Sequence, residues 1–168
     1  MDYVWTYDSP LGVLTLASDG TALTGLWFAG QLHFASTLDP DHRLSRRPEF
    51  DPAMRWLDVY FSGREPDFTP PLHLRGSAFR QAVWAQLLQI PYGATRTYGT
   101  IAGCLAREAG RSRLSAQAVG GAVGHNPVSL IVPCHRVVGC GGAMVGYAGG
   151  IWRKEWLLAL EQRQVSLP

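Results

Sequence analysis

Residues 126–138 read NPVSLIVPCHRVV, an apolar run that ends in proline, cysteine, histidine and arginine. A thiolate is a strong nucleophile, but a free cysteine with a pKa of roughly 8.5 is mostly protonated at neutral pH and needs a base or a positive charge nearby. Adjacent side chains on an extended strand point to opposite sides, so His135 reaches Cys134 only if the backbone turns there, or through a water. Spacing alone leaves two interpretations open: an activated nucleophile, or a buried structural cysteine beside an incidental histidine.

Two short helices joined by a polar turn precede this segment. Thr97 is the expected N-cap of a helix from residue 98 to about residue 107, and Ser115 is the expected N-cap of a helix that ends at residues 125–127. The turn between them carries Arg111 and Arg113. This arrangement predicts a helix-turn-helix.

The second of these helices has almost no side-chain bulk, because Ala, Val and Gly dominate it. Each of Gly120, Gly121 and Gly124 costs a helix roughly 1 kcal/mol relative to alanine. Such glycines either permit tight packing of one helix on another, or let the backbone of an exposed helix approach a partner closely. The sequence leaves both explanations open.

Further helices are predicted on either side of this region. Ser77 is expected to cap a helix through about residue 89, with one apolar face formed by Phe79, Val83, Leu87 and Leu88. The apolar run before Cys134 predicts a strand, a glycine-rich turn follows at 139–142, and a last helix is predicted from about residue 152 to 162.

The first part of the chain has a different pattern. Short runs at 2–7, 12–18 and 22–28 are rich in Val, Leu, Thr, Tyr and Trp and are separated by turn residues, which predicts an antiparallel meander. Asp51 is the expected N-cap of a helix that has Pro52 at its first position and ends before Ser62 and Gly63. The proline-containing stretch 64–71 predicts a linker, so we expect an α+β protein with one domain at 1–71 and another at 72–168.

The charge changes sign at the same place. Residues 1–71 carry five Arg and ten Asp or Glu, a net charge of −5, whereas residues 72–168 carry nine Arg, one Lys and three Glu, a net charge of +7. Either the second part contacts a polyanion or its surface is simply basic and solvated. The chain has no long apolar stretch and its N-terminus lacks the pattern of a secretion signal, so we expect a cytoplasmic protein with no membrane partner. Three cysteines exclude a complete disulfide framework.

Five separated motifs resemble those of the O6-alkylguanine-DNA alkyltransferases, in that family's order. The segment 126–138 is similar to their active-site signature, and TYGTIA (97–102) and AVGGA (118–122) resemble their helix-turn-helix. GYAGGI (146–151) and KEWLLALE (154–161) resemble their pocket wall and final helix. The resemblance is specific over about 72–161. Over 1–71 it is looser and implies a small ribonuclease-H-like N-terminal domain, without the structural zinc site of some members.

The resemblance implies a role for each of five residues. Cys134 would accept the alkyl group and His135 would take its proton through a water. Glu161 would orient the histidine and favour its charged form. Asn126 would brace the turn before the active-site strand, and Tyr98 would donate a hydrogen bond to the departing guanine. No cofactor or metal is expected.

The resemblance also implies how DNA is held. The target base would be flipped into the pocket, while the small-residue helix enters the minor groove of double-stranded DNA. The residues expected to contact DNA are Gln117, Ala118, Gly121, Arg111, Arg113 and Arg136. Those expected to form the substrate pocket are Val137, Tyr147, Ala148 and Ser129.

Three positions depart from the family's pattern. Gln117 stands where many members have an arginine that fills the gap left by the flipped base, and the long turn with Arg111 and Arg113 is expected to offset this loss through phosphate contacts. Ser129 stands where some members have proline, and Ala148 where some have serine. Both suggest a roomier or less polar pocket that accepts alkyl groups larger than methyl.

Together these features predict direct-reversal DNA repair by a monomer, associated with the nucleoid if bacterial. The alkyl group of O6-alkylguanine, and also of O4-alkylthymine, would pass irreversibly to Cys134, once per molecule. Three alternatives are a lesion-binding sensor without transfer, a cysteine hydrolase built on Cys134, His135 and Glu161, and a zinc site of Cys134, His135 and Cys140. The sensors typically replace the cysteine with tryptophan, the hydrolase leaves the helix-turn-helix unexplained, and the zinc site lacks paired C-x-x-C spacing.

Overall fold

The computed structural model describes the backbone of residues 1–166 and the side chains through residue 163. The strands are β1 (Asp2–Ser9), β2 (Gly12–Ser18), β3 (Leu23–Phe28), β4 (His42–Leu44), β5 (Arg96–Thr97) and β6 (Val137–Val138). The α-helices are α1 (Asp51–Phe61), α2 (Ala78–Leu88), α3 (Tyr98–Glu108), α4 (Ala116–Gly124) and α5 (Ile151–Ser166). Short 3-10 turns lie at Pro48–Phe50, Cys134–Arg136 and Cys140–Gly142.

The first four strands form one sheet in the order β3-β2-β1-β4. β1 pairs antiparallel with β2, and β2 with β3, which confirms the predicted meander. Gly12 and Gly20 have positive φ at the turns, a conformation that glycine adopts without strain. β4 was outside the sequence prediction, and it pairs in parallel with β1 over three residues.

Helix α1 was predicted correctly in extent, but its predicted N-cap is wrong. The helix follows directly from the 3-10 turn, so Phe50 holds the cap position and makes no side-chain cap bond. Asp51 is the first helical residue, and its carboxylate pairs with the Arg46 guanidinium at 2.7 Å. A negative charge in the first turn still stabilises the helix, because it interacts favourably with the helix dipole.

The caps of α2, α3 and α4 agree with the sequence prediction. The hydroxyls of Ser77 and Thr97 accept hydrogen bonds from backbone N–H groups three residues on, and Ser115 accepts from the N–H groups of Gln117 and Ala118. The predicted apolar face of α2 was partly wrong. Val83 and Leu87 are buried together with Trp84, whereas Phe79 and Leu88 are exposed.

The apolar run before Cys134 is not the predicted strand. Leu130 has a φ of 71°, and backbone hydrogen bonds from Ile131 to Ser129 and from Val132 to Val128 close tight turns. Asn126 holds these turns from both sides. Its Nδ2 donates to Val132 O at 2.8 Å, and its Oδ1 accepts from Val128 N at 3.0 Å, which agrees with the expected bracing role.

One continuous hydrophobic core joins the sheet, α1 and the C-terminal helices. Leu14, Leu26 and Phe28 from the sheet are fully buried in it, and so are Val83 and Leu157 from the helices. The segment around Val128 bridges to β3 at Leu26 and so attaches the turns before Cys134 to the sheet edge. Among the described residues, no helix combines the length and hydropathy that crossing a membrane would require.

Candidate active site

Cys134 lies at the wall of a cavity of about 170 Å³ and is itself only 4% exposed. It is the first residue of a 3-10 turn that begins directly after Pro133. The backbone therefore turns at the cysteine, which is the condition under which His135 could reach the sulfur directly. The other residues that line the cavity are Leu32, His33, Tyr98, Gly120, Val123, Gly124, Gly146, Tyr147 and Ala148.

Glu161 on α5 is the centre of a buried polar network behind the cysteine. Its carboxylate is fully buried and accepts from His135 Nε2 at 2.6 Å and from Arg136 Nε at 2.8 Å. The Tyr60 hydroxyl also donates to it at 2.7 Å, and Gly93 N at 3.1 Å. Burial alone would raise the pKa of Glu161, but the His135 hydrogen bond and the Arg136 charge lower it to about 2. Glu161 is therefore ionised at neutral pH.

His135 is fully buried and uses one ring nitrogen for Glu161. Its Nδ1 has no hydrogen-bond partner among the described residues. Burial lowers the pKa of His135, and the Glu161 carboxylate only partly opposes this shift. Glu161 thus favours the charged form of His135, as expected, but burial outweighs this influence and the ring is neutral. The neutral ring donates its Nε2–H to Glu161, which leaves the Nδ1 lone pair to accept a proton.

The cysteine is a thiol at rest. Burial raises the pKa of Cys134, and this effect exceeds the opposing influence of Asn126 and of the Lys154 charge. Nucleophilic attack therefore requires a base that removes the proton as the sulfur reacts. The neutral His135, the next residue in sequence, has an Nδ1 without a partner among the described residues and is the candidate for this base.

Tyr98, Tyr147 and Ala148 lie at the cavity as predicted. The Tyr98 hydroxyl donates to the backbone carbonyls of Val145 at 3.2 Å and Gly146 at 3.4 Å, so α3 is attached to the opposite wall. The Tyr147 hydroxyl is buried without a hydrogen-bond partner of regular geometry among the described residues.

Two predicted pocket residues lie elsewhere. Val137 is fully buried in β6, where it pairs with Arg96. Ser129 is buried beneath the sheet edge, where its N–H donates to Leu26 O at 2.9 Å and its hydroxyl to Gln31 Oε1 at 3.3 Å. Its effect on the cavity is indirect because Gln31 precedes the lining residue Leu32.

The DNA-facing residues expected on α4 and the preceding turn are exposed. Gln117, Arg111 and Arg113 line a broad groove beside α3, and Ala118 and Gly121 lie on the outer surface of α4. A Cβ added at Gly121 or at Gly124 would meet no atom within 4 Å. Tight helix packing therefore does not explain these two glycines, whereas close approach of a partner does.

Arg136 is the clear exception among the predicted DNA contacts. It is 8% exposed, and its guanidinium bonds to Glu161 and, through Nη1, to Ile90 O at 2.8 Å. Three of its five N–H donors are used in this way, and the buried side chain does not reach a phosphate on the surface. Its role is to fix Glu161.

Four residues of the site were missed by sequence reasoning. In the sequence Tyr60 is one of several apolar positions in the segment of α1, and Leu32 and His33 carry no local signal. Lys154 is the single lysine of the chain; it is fully buried and donates to the carbonyls of Val137, Val145 and Gly146. A lysine that occurs once in the chain, at the start of the last helix, was a usable sign. Among residues 1–163, no group of His, Cys, Asp or Glu could hold a metal ion.

Comparison with known proteins agrees with this geometry. The family model described as 6-O-methylguanine DNA methyltransferase, ribonuclease-like domain matches residues 3–74, and the model for its DNA binding domain matches residues 78–163. Both matches confirm the predicted fold class, a ribonuclease-like sheet region followed by a helical DNA-binding region.

Similar proteins extend along nearly the whole chain. A methylated-DNA–protein-cysteine methyltransferase from Mycobacterium tuberculosis is 46% identical over 161 residues, which cover 94% of this chain and 90% of that protein. One from Methanosarcina acetivorans is 39% identical over 160 residues, covering 95% and 97%. A crystal structure of Mycobacterium tuberculosis OGT in complex with DNA has a TM-score of 0.82 at 44% identity and covers 96% of this chain and 94% of that one. The chain therefore belongs to the 6-O-methylguanine DNA methyltransferase family.

Proposed function

We propose that this chain is a methylated-DNA–protein-cysteine methyltransferase that repairs O6-alkylguanine, and also O4-alkylthymine, by direct reversal. The observation that carries the proposal is the position of Cys134. Its sulfur borders a cavity, and a neutral His135 oriented by the ionised Glu161 lies behind it. A nucleophile, a base and a residue that orients the base are thus present in the order that nucleophilic transfer requires.

In the proposed reaction, the Cys134 thiol attacks the alkyl carbon of a flipped guanine while its proton passes to His135 Nδ1 through a water. The S–C bond forms as the C–O6 bond breaks, and the electron pair of that bond leaves with the guanine. Tyr98, which lines the cavity, donates a hydrogen bond to the departing base in place of its bonds to the carbonyls of Val145 and Gly146. A stable thioether remains, and no second nucleophile at the cavity regenerates the thiol. Each molecule therefore reacts once.

The proposed DNA complex places the outer surface of α4 in the minor groove. Ala118 and Gly121 would approach the groove floor, and Gln117 would fill the space left by the flipped base. Arg111 and Arg113 would bind phosphates. We further propose that residues 1–71 and 72–168 are the two domains, that the protein is a monomer, and that it acts in the cytoplasm on nucleoid DNA.

Intact-mass measurement tests the transfer. The protein is incubated with a duplex that carries O6-methylguanine, and the expected result is one added methyl group per molecule, located on the Cys134 peptide. Cys134→Ser should gain no mass, whereas Cys140→Ser, which changes an exposed cysteine, should react like the wild type. Tight lesion binding without any mass change would identify a sensor instead, and repeated turnover of an ester substrate would identify a hydrolase.

A further inference from the structure

The cavity beside Cys134 is not built from the C-terminal region alone. Leu32 and His33, in the loop that follows β3, line it together with residues 98–148. These two residues are about a hundred positions away from Cys134 in sequence, and the family motifs in the chain do not include them.

This loop is fixed against the pocket wall by hydrogen bonds on both sides. Gln31 is buried, and its Oε1 accepts from Phe28 N at 2.8 Å and from the Ser129 hydroxyl at 3.3 Å. The next N–H along, that of Leu32, donates to Ala148 O at 3.0 Å. The loop is therefore attached directly to the backbone of a residue that lines the cavity.

A stack of two imidazole rings adds a further attachment. The rings of His33 and His125 are 3.7 Å apart between centroids with an interplanar angle of 26°. His125 is itself fixed at the end of α4, because its Nδ1–H donates to Gly121 O at 2.7 Å. His33 has a φ of 58°, which few residues other than glycine adopt, so the surrounding contacts must stabilise this conformation.

Both residues line the cavity, one with an aliphatic side chain and the other with a flat ring. Leu32 is 67% exposed although it lines the cavity, so its isobutyl group is available for contact with a bound group. Hydrophobic walls of this kind discriminate between substrates by size, at roughly 10–200-fold in rate for a single methylene group.

We propose that Leu32 and His33 are specificity-determining residues that limit the size of the alkyl group transferred to Cys134. This inference rests on the proposed transfer function. Part of the substrate pocket then belongs to the N-terminal region. The buried Ser129 holds Gln31 in place at the base of this wall.

Transfer rates with two duplexes test the proposal, one carrying O6-methylguanine and the other O6-benzylguanine. Leu32→Ala and His33→Gly should raise the benzyl-to-methyl rate ratio by about tenfold because they remove part of the wall. Leu32→Trp should lower the ratio by about tenfold. Glycine at position 33 also retains the positive φ, so the loop conformation is preserved.

Matched controls are His42→Ala and Leu44→Ala, which change exposed side chains of β4. Neither should change the ratio. A wild-type protein that transfers neither group would overturn both the proposed function and this inference. A wild type that transfers both groups, with a ratio that stays within about twofold in all three wall variants, would overturn the inference alone. Equal loss of both rates would also overturn it, because the loop would then only support the fold.

Discussion

At the scale of single residues, Glu161 links catalysis to stability. It orients His135 and is also the counter-charge of Arg136, whose guanidinium is almost fully buried. Removing one member of a buried ion pair costs about 3–5 kcal/mol, because the remaining charge is left without compensation. The same carboxylate thus determines whether the base is correctly oriented and whether the core tolerates an arginine.

Glu161→Gln is expected to lower the free energy of unfolding by about 3–5 kcal/mol and the transfer rate by about 100-fold or more. Denaturant titration and single-turnover kinetics measure the two effects. Glu155→Gln changes an exposed carboxylate on the same helix and should alter neither quantity. Wild-type kinetics in Glu161→Gln would contradict the role assigned to this carboxylate.

The pH dependence of stability follows from the same group. The pKa of Glu161 is about 2 in the folded protein and near 4.5 when unfolded, so its ionisation stabilises the fold above pH 4.5. This contribution, about 3 kcal/mol, should be lost as pH falls from 4.5 towards 2. The lowered pKa of His135 acts in the same direction, since unfolding below pH 6.5 lets the ring take up a proton. Unfolding free energies measured between pH 7 and pH 2 should fall less steeply in Glu161→Gln than in the wild type.

At the scale of secondary-structure elements, α4 has a composition that internal packing does not require. Gly121 has open space where a Cβ would stand, and its helix is capped normally by Ser115. Gly121 and Gly124 therefore reduce helix stability without a compensating contact among the described residues. A surface that a partner approaches closely would account for this loss of helix stability.

Gly121→Ala should keep or raise stability, by up to roughly 1 kcal/mol, and yet weaken DNA binding. The reason is that the new methyl group improves helix propensity but obstructs close approach to the groove. Thermal unfolding and fluorescence anisotropy with a lesion duplex measure the two effects. Ala159→Ser, at an exposed position of α5, is the control and should change neither quantity. Unchanged affinity in Gly121→Ala would place the DNA interface elsewhere.

The turn before α4 should supply electrostatic affinity. Arg111 and Arg113 are exposed and make no salt bridge among the described residues, so both are free to bind phosphates. Replacing both by alanine should lower DNA affinity and reduce the slope of log K against log salt by about 2. Affinities measured across a range of salt concentrations provide the test. Arg43→Ala, on the distant strand β4, should leave the slope unchanged.

At the scale of the whole molecule, the two regions should unfold together. Their cores are continuous, and the guanidinium of Arg75 binds the buried Asp2 carboxylate through both oxygens, at 2.7 and 2.8 Å. Calorimetry should therefore give one transition whose calorimetric and van't Hoff enthalpies agree. Arg75→Ala should lower stability by about 2 kcal/mol, because Asp2 loses its partner while Arg75 itself is partly exposed. Two separated transitions in the wild type would show that the shared core contributes little.

Much of this protein could be predicted from patterns that are local in sequence. The caps at Ser77, Thr97 and Ser115, the meander and the cysteine motif depend on residues a few positions apart, because backbone hydrogen bonds and periodic burial act over that range. Family motifs then added Glu161 and Tyr98 to the site, which spacing alone did not distinguish from ordinary helix residues.

Only the tertiary structure determined the burial of Arg136, the protonation state of His135 and the complete set of residues that line the cavity. Arg136 lies next to the nucleophile in sequence, yet it points into the core because Glu161, 25 positions later, is the charge that compensates its burial. His135 is neutral because burial outweighs a nearby carboxylate, and Leu32 and His33 reach the cavity only because the sheet packs against the turns before Cys134. The sequence by itself predicted the candidate nucleophile and most of the elements around it. Packing between distant segments determined the protonation state and the pocket, because desolvation and ion pairing depend on neighbours that lie far away along the chain.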